Sequence, residues 1–177
     1  MKKVLRKLQS EQSLCSVYSD AEDFGRFSAG IIKYVVDDWY VMAHVNPYGA
    51  FDGYTCEMTD SVISVSRGDI YLNKLAILIS DGNRIYDDLE LPQYGGLVSR
   101  VLQHIKDSKE ILTIVLMDES NLFIRGYVSD FDQDILTIAE VNHNGEFDGA
   151  TYVSIDDITK ICFGSEDEVR LEKIVRK

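Results

Sequence analysis

The sequence predicts a mainly β chain with some helix (α+β), built as two tandem small five-stranded barrels, each preceded by a short helix. Three observations predict it. The chain repeats at an offset of 96 residues: Phe27 to Ile79 align with Phe123 to Val175 without a gap, with 14 identities over 53 positions. The apolar residues fall in short β-branched and aromatic runs, among ten Tyr, seven Phe and one Trp, types that suit a pleated surface. A glycine recurs inside the second run of each copy, Gly30 and Gly126, and an interior strand glycine marks a bulge or sharp bend.

Eight of the identities cluster in one stretch with the pattern A-x-V-N-x-x-G-x-F-D-G-x-T, from Ala43 to Thr55 and from Ala139 to Thr151. Similarity at a fixed period is the signature of a repeated unit. The expected organisation is a first barrel at 1–80, a linker at 81–96 and a second barrel at 97–177. The linker reading rests on turn formers: Asp81-Gly82-Asn83, Asp87-Asp88, Pro92 and Gly95-Gly96.

In the second copy, Leu97, Val98, Val101, Leu102 and Ile105 fall on one helical face. Val4, Leu5 and Leu8 are a shorter version in the first. Ile111 to Met117 is a dense β-branched run, and Leu122 to Val128 holds the bend glycine. Ile135 to Val141 alternates, as does its mate Trp39 to Val45. Asn142 to Gly149 reads as a hairpin connection, since Asn and Gly tolerate positive φ. Tyr152 to Phe163 is the expected fourth strand, with a possible turn at Asp156-Asp157. Val169 to Val175 is the expected fifth strand, with a helix as the alternative. Five short strands hide apolar residues on both faces by bending into a barrel, which also removes most exposed edges.

The chain carries 18 basic and 30 acidic residues, a net charge of −12. Split at Pro92, the two parts carry −5 and −7. Polyanion binding needs cations to release counterions, so RNA is possible but disfavoured. Cys15, Cys56 and Cys162 are an odd number without CxxC spacing, which predicts free thiols in a reducing cytoplasm and no zinc site. The N-terminus starts basic but lacks the apolar stretch of a signal peptide. No segment reaches the roughly 18 apolar residues of a membrane span.

The order of elements resembles the Sm-like (Lsm) small β-barrel. The likeness is carried by Ile124-Arg125-Gly126-Tyr127-Val128, by Phe131-Asp132-Gln133-Asp134-Ile135-Leu136, and by the apolar-Arg-Gly stretch Val65-Ser66-Arg67-Gly68-Asp69-Ile70. The resemblance implies edge-to-edge association into rings or dimers. The family's RNA pocket uses a polar residue, typically Asn, where Leu136 and Tyr40 stand here. Its late Arg-Gly survives as Arg67-Gly68 and becomes Phe163-Gly164 in the second copy.

The candidate binding residues are Asn46, Tyr48, Phe51, Asp52 and Arg67 in the first copy, and Asn142, Phe147 and Asp148 in the second. The structural reading of the motif makes Gly the turn, Phe a core plug and Asp a binder of nearby backbone amides. The functional reading is a recognition loop shown twice. Tyr40, Tyr48 and Tyr54 crowd the first loop, so a binding surface confined to that copy is a further reading. Asn142, Asn144, Glu146 and Asp148 alternate oxygens as calcium loops do. The glycine is misplaced for such a loop, however, and Tyr48 and Ala50 stand at two of the mates. No catalytic, metal or cofactor residue is assigned; of His44, His104 and His143, the first and last fall near the repeated loops, but their mates are Glu140 and Pro47. The expected function is a non-catalytic interaction or scaffold module that binds protein or self-associates into a homo-oligomer. The alternatives are an RNA-binding or regulatory protein and an enzyme with a site between the barrels.

Overall fold

Each unit opens with an amphipathic helix whose apolar side faces its sheet. The computed structural model describes residues 1–20, 26–80, 89–117 and 123–175. The chain divides into two units, Met1–Leu89 and Glu90–Lys177. The first contains α1 (Lys2–Glu11), β1 (Leu14–Tyr18), β2 (Ser28–Val36), β3 (Trp39–Val45), β4 (Phe51–Met58), β5 (Ser64–Ser66) and α2 (Ile70–Ser80). The second contains α3 (Leu97–Ser108), β6 (Ile111–Leu116), β7 (Phe123–Phe131), β8 (Ile135–Val141), β9 (Phe147–Ser154), β10 (Ile158–Phe163) and α4 (Glu166–Val175). The protein is mainly β, and every ladder within a unit is antiparallel.

The strand order is β5-β1-β2-β3-β4 in the first unit and β10-β6-β7-β8-β9 in the second. In the second unit β9 and β10 stand at opposite ends of the order, yet only Ile155–Asp157 separate them. A flat sheet would hold those strands roughly 19 Å apart at four inter-strand spacings. Three residues of 3-10 helix advance roughly 6 Å, so the sheet curls strongly. Among the described residues the ladders stop short of closure, since neither β4 with β5 nor β9 with β10 forms one.

Helices cover both faces of the first sheet. Leu5 and Leu8 of α1 pack with Ile32, Tyr40 and Met42. Leu72 and Leu75 of α2 pack with Ala29 and Val45 on the other side. Burial on both faces explains why Trp39 to Val45 is nearly all apolar. In the second unit α3 buries Leu97, Val101, Leu102 and Ile105, and Leu171 of α4 packs with Ile111 and Val141.

Two expectations need correction. Val169 to Val175 is not a strand but the body of α4. Ser165 and Glu168 form the carboxylate half of a capping box: the Glu168 carboxylate accepts from the Ser165 amide at 3.1 Å and from its hydroxyl. That box starts a helix and overrides the β-branched content that follows. Tyr152 to Phe163 is not one strand, because a 3-10 turn at Ile155–Asp157 divides it into β9 and β10. Part of the expected linker, 81–96, is packed, and the boundary between the units falls within it. Residues 81–88 lie outside the described residues, as does Leu122 at the start of the second-strand run. In the remainder Leu89 and Leu91 are buried, Tyr34 donates to the Leu89 carbonyl at 2.7 Å, and Arg100 donates to the Pro92 carbonyl.

The glycines within β2 and β7 are required by close approach. A Cβ at Gly30 would lie 1.9 Å from the Ala43 carbonyl oxygen, and one at Gly126 2.1 Å from that of Ala139. The bulge itself comes later in the strand, between Ile32 and Tyr34 and between Val128 and Asp130.

Candidate functional site

The repeated motif builds the β3–β4 and β8–β9 hairpins, position by position. Asn46 Oδ1 accepts the amides of Tyr48 at 3.0 Å and Ala50 at 3.1 Å. Asn142 Oδ1 does the same for Asn144 at 2.9 Å and Glu146 at 3.1 Å. Each asparagine thus closes an Asx turn. Gly49 and Gly145 follow at φ 81° and 80°. Added Cβ atoms there would strike Leu78 of α2 at 2.7 Å and Ile174 of α4 at 2.5 Å, so these glycines serve both the turn and the helix lying on it. Gly53 and Gly149, at φ 76° and 88°, fall where the register slips between Ala43 and Val45 and between Ala139 and Val141. The motif threonines reach across the ladder: Thr55 Oγ1 lies 2.5 Å from His44 Nε2, and Thr151 donates to Glu140. The mismatched pair His44 and Glu140 therefore shares one structural place.

The hairpins hold Asn46, Tyr48, Phe51 and Asp52 in the first unit and Asn142, Phe147 and Asp148 in the second, and expose them unequally. Tyr48 is 81% exposed at the tip of its loop. Phe51 is half-buried, with an edge-on contact to Tyr54 at 4.9 Å. Asp52 is half-buried and Asp148 exposed. Phe147 is not a core plug: it is 64% exposed. It lies beside Tyr127, with ring centroids 6.2 Å apart, and these two with Lys109 and Val175 line a shallow hollow of about 500 Å³. Arg67 sits outside the hairpin altogether, and its Nη1 donates to Glu11 Oε2 at 2.7 Å.

The expected tyrosine cluster divides by environment. Tyr54 is buried, and Tyr40 is 1% exposed. The Tyr40 hydroxyl donates to Glu57 Oε2 at 2.8 Å. Burial, and then the neighbouring Glu57 charge, push the Tyr40 phenol well above the usual tyrosine range. Only Tyr48 remains on the surface. Burial likewise pushes the Cys15 thiol up to about 12, which keeps it protonated and unreactive.

Of the alternating residues of the second loop, Asn142 and Glu146 are engaged with the loop itself. Besides its two backbone amides, Asn142 donates through Nδ2 to Glu146 Oε2 at 3.1 Å. Among the described residues no group of three His, Cys, Asp or Glu side chains is placed to hold a metal ion. No described helix is long and apolar enough to cross a membrane.

Sequence reasoning missed two features. One is the buried polar network under α4. Thr113 Oγ1 accepts from Arg125 Nε at 3.0 Å and donates to Glu168 Oε1 at 2.7 Å, while Glu172 accepts the Ile111 amide at 2.8 Å. The Ser-x-x-Glu spacing at Ser165 and Glu168 was the available signal. The other is the basic face of α1, which starts Lys2, Lys3, Arg6, Lys7 and read only as a weak signal-peptide start. Comparison of the chain with protein-family models, with curated proteins and with solved structures finds no match in any of the three.

Proposed function

We propose that the chain is a non-catalytic cytoplasmic interaction module made of two Sm-like small barrels that arose by internal duplication. It works by binding protein, first of all a second copy of itself, along the outer edge of β9. The observation that carries this reading is the exposure of that strand. Phe147 and Tyr152 of β9 are 64% and 73% exposed, and among the described residues β9 is laddered on its β8 side only. Beyond the Gly149 bulge, Ala150 to Ser154 contain no charge and no proline, the devices that keep edge strands apart. Exposed aromatic rings beside an open edge favour a contact that joins main-chain hydrogen bonds to ring burial.

The duplication is supported by special backbone positions that recur 96 residues apart, with Gly68 and Gly164 at φ 67° and 70° joining the two hairpin pairs. The barrel reading is supported by the strand order and by the short β9–β10 connection. Light scattering on the full chain tests the assembly. The expected mass is that of two or more chains, and Phe147→Asp with Tyr152→Lys, both at exposed positions, should reduce it to one. A wild-type protein that stays monomeric at high concentration removes the proposal.

A further inference from the structure

The first unit carries a groove between α1 and β5, of about 340 Å³, lined by Lys3, Val4, Lys7, Leu8, Val65 and Arg67. We propose that it binds an acidic peptide segment of a partner protein. One apolar side chain of that segment sits over Val4 and Val65, and flanking carboxylates meet Lys3, Lys7 and Arg67. The proposal rests on the reading of the chain as a protein-binding module and deepens it by naming a class of partner.

Charge complementarity is the first argument. The chain has a net charge of −12, yet α1 places four cations in its first six residues; Lys2 is paired with Asp38 at 2.7 Å, while Lys3 and Lys7 line the groove with Arg67. An acidic segment is repelled by the general field and attracted to a local cluster of cations such as this. The second argument is that a carboxylate already lies there. Glu11 stands 2.7 Å from Arg67 Nη1 and 3.8 Å from Lys7 Nζ, so the two cations are spaced to share one carboxylate. An incoming acid exchanges with Glu11 and needs no rearrangement of the fold. The floor is apolar and open, with Val4 47% exposed.

Other anionic partners fit less well. Leu5 and Leu8 are 0% and 2% exposed, so the apolar face of α1 is committed to the core and is not free to lie in a lipid surface. Among the described residues no aromatic side chain lines the groove, which gives the bases of a single-stranded nucleic acid no stacking platform there.

Fluorescence anisotropy on the full chain tests this, with a fluorescein-labelled peptide of alternating Asp and Leu and a control in which Asn replaces every Asp. The acidic peptide should bind, more weakly as salt rises, and the control at least about tenfold more weakly, the worth of one charge-assisted hydrogen bond. Lys7→Glu with Arg67→Glu should cost a similar factor. These side chains are 62% and 56% exposed, and native Trp39 emission verifies the fold. Glu11→Gln should act oppositely and tighten binding severalfold by freeing both cations. Equal binding of the control, indifference to the charge reversals, or uptake of oligouridylate in place of the peptide overturns the proposal. A monomeric protein that binds the peptide leaves the groove standing without the β9 assembly, and an assembled protein that ignores the peptide does the reverse.

Discussion

Each unit buries acidic side chains, and the two units bury them in different places. In the first, Glu57 of β4 is 7% exposed and faces Tyr40 across the ladder, and Leu136 and Val153 occupy that ladder step in the second. In the second, Glu168 and Glu172 of α4 are 3% and 9% exposed beneath the helix, where the first unit has Leu72 and Ala76. Positions fixed by the backbone did not diverge in this way. Asn46 and Asn142 close the same turn, and Gly49 and Gly145 share φ near 80°. Asp69 Oδ1 caps α2 through the Leu72 amide at 2.8 Å, as Ser165 opens α4. An interior polar group can thus be exchanged for an apolar one when its partners change with it. A main-chain conformation closed to side chains admits no such exchange.

The largest expected effect follows from the second half of that contrast. Gly30→Val or Gly126→Val puts a side chain through a neighbouring carbonyl oxygen. Either should cost the affected unit more than about 4 kcal/mol, beyond the ordinary range of single substitutions. Trp39, the one tryptophan of the chain, reports on the first unit by its emission. Amide exchange along β7 and β8 reports on the second. If either variant keeps native exchange, the close approach does not govern those positions.

A smaller effect tests the interchange of buried groups. Glu168→Leu installs the first unit's solution without its surroundings. It strips Thr113 and the Ser165 amide of a buried acceptor, at about 2–3 kcal/mol in denaturant unfolding. Tyr40→Leu with Glu57→Val carries the second unit's pair into the first as a set and should stay within about 1 kcal/mol of the parent, because the buried pair changes together and Ser61, which also donates to Glu57, keeps the Met58 carbonyl as acceptor. Equal losses in the two experiments would mean that the interiors are not exchangeable.

The smallest effect is on acid stability. A hydrogen bond from Lys106 holds the Asp130 carboxyl below the usual aspartate range. The Ile135 and Asp134 amides hold Asp132 there as well. Tyr34 and Val36 stand at these places in the first unit. A folded pKa below the unfolded one stabilises at pH above the unfolded value, and that gain fades as pH falls through the folded value. Below about pH 4 the second unit should therefore lose a small increment of stability. Asp130→Asn with Asp132→Asn should flatten that acid limb, as followed by amide exchange, without moving Trp39 emission.

The sequence made the hairpins legible because their demands are local. An asparagine two residues before the amide it binds and a glycine at positive φ are read from a few adjacent letters. The first helix of each unit was legible for a similar reason, since its apolar face repeats along one stretch. The closing helices were not. Val169 to Val175 is short and β-branched, and Ile70 to Ser80 is apolar nearly all round, so neither shows a period that separates helix from strand. Phe147 was placed in the core on residue type alone, and its exposure depends on how β9 lies in the sheet. Arg67 was read as a motif residue, but its partner Glu11 lies 56 residues away, a pairing that no local pattern encodes.

The near-collision at Gly30 and Ala43, repeated at Gly126 and Ala139, reaches past this one chain. A backbone passage too narrow for a methyl group leaves heredity a single letter at that place, whatever happens to the surrounding surface. Distant kin of this protein would therefore be recognised less by their charged or aromatic residues than by glycines kept at the spacing of Gly30, Gly49 and Gly53.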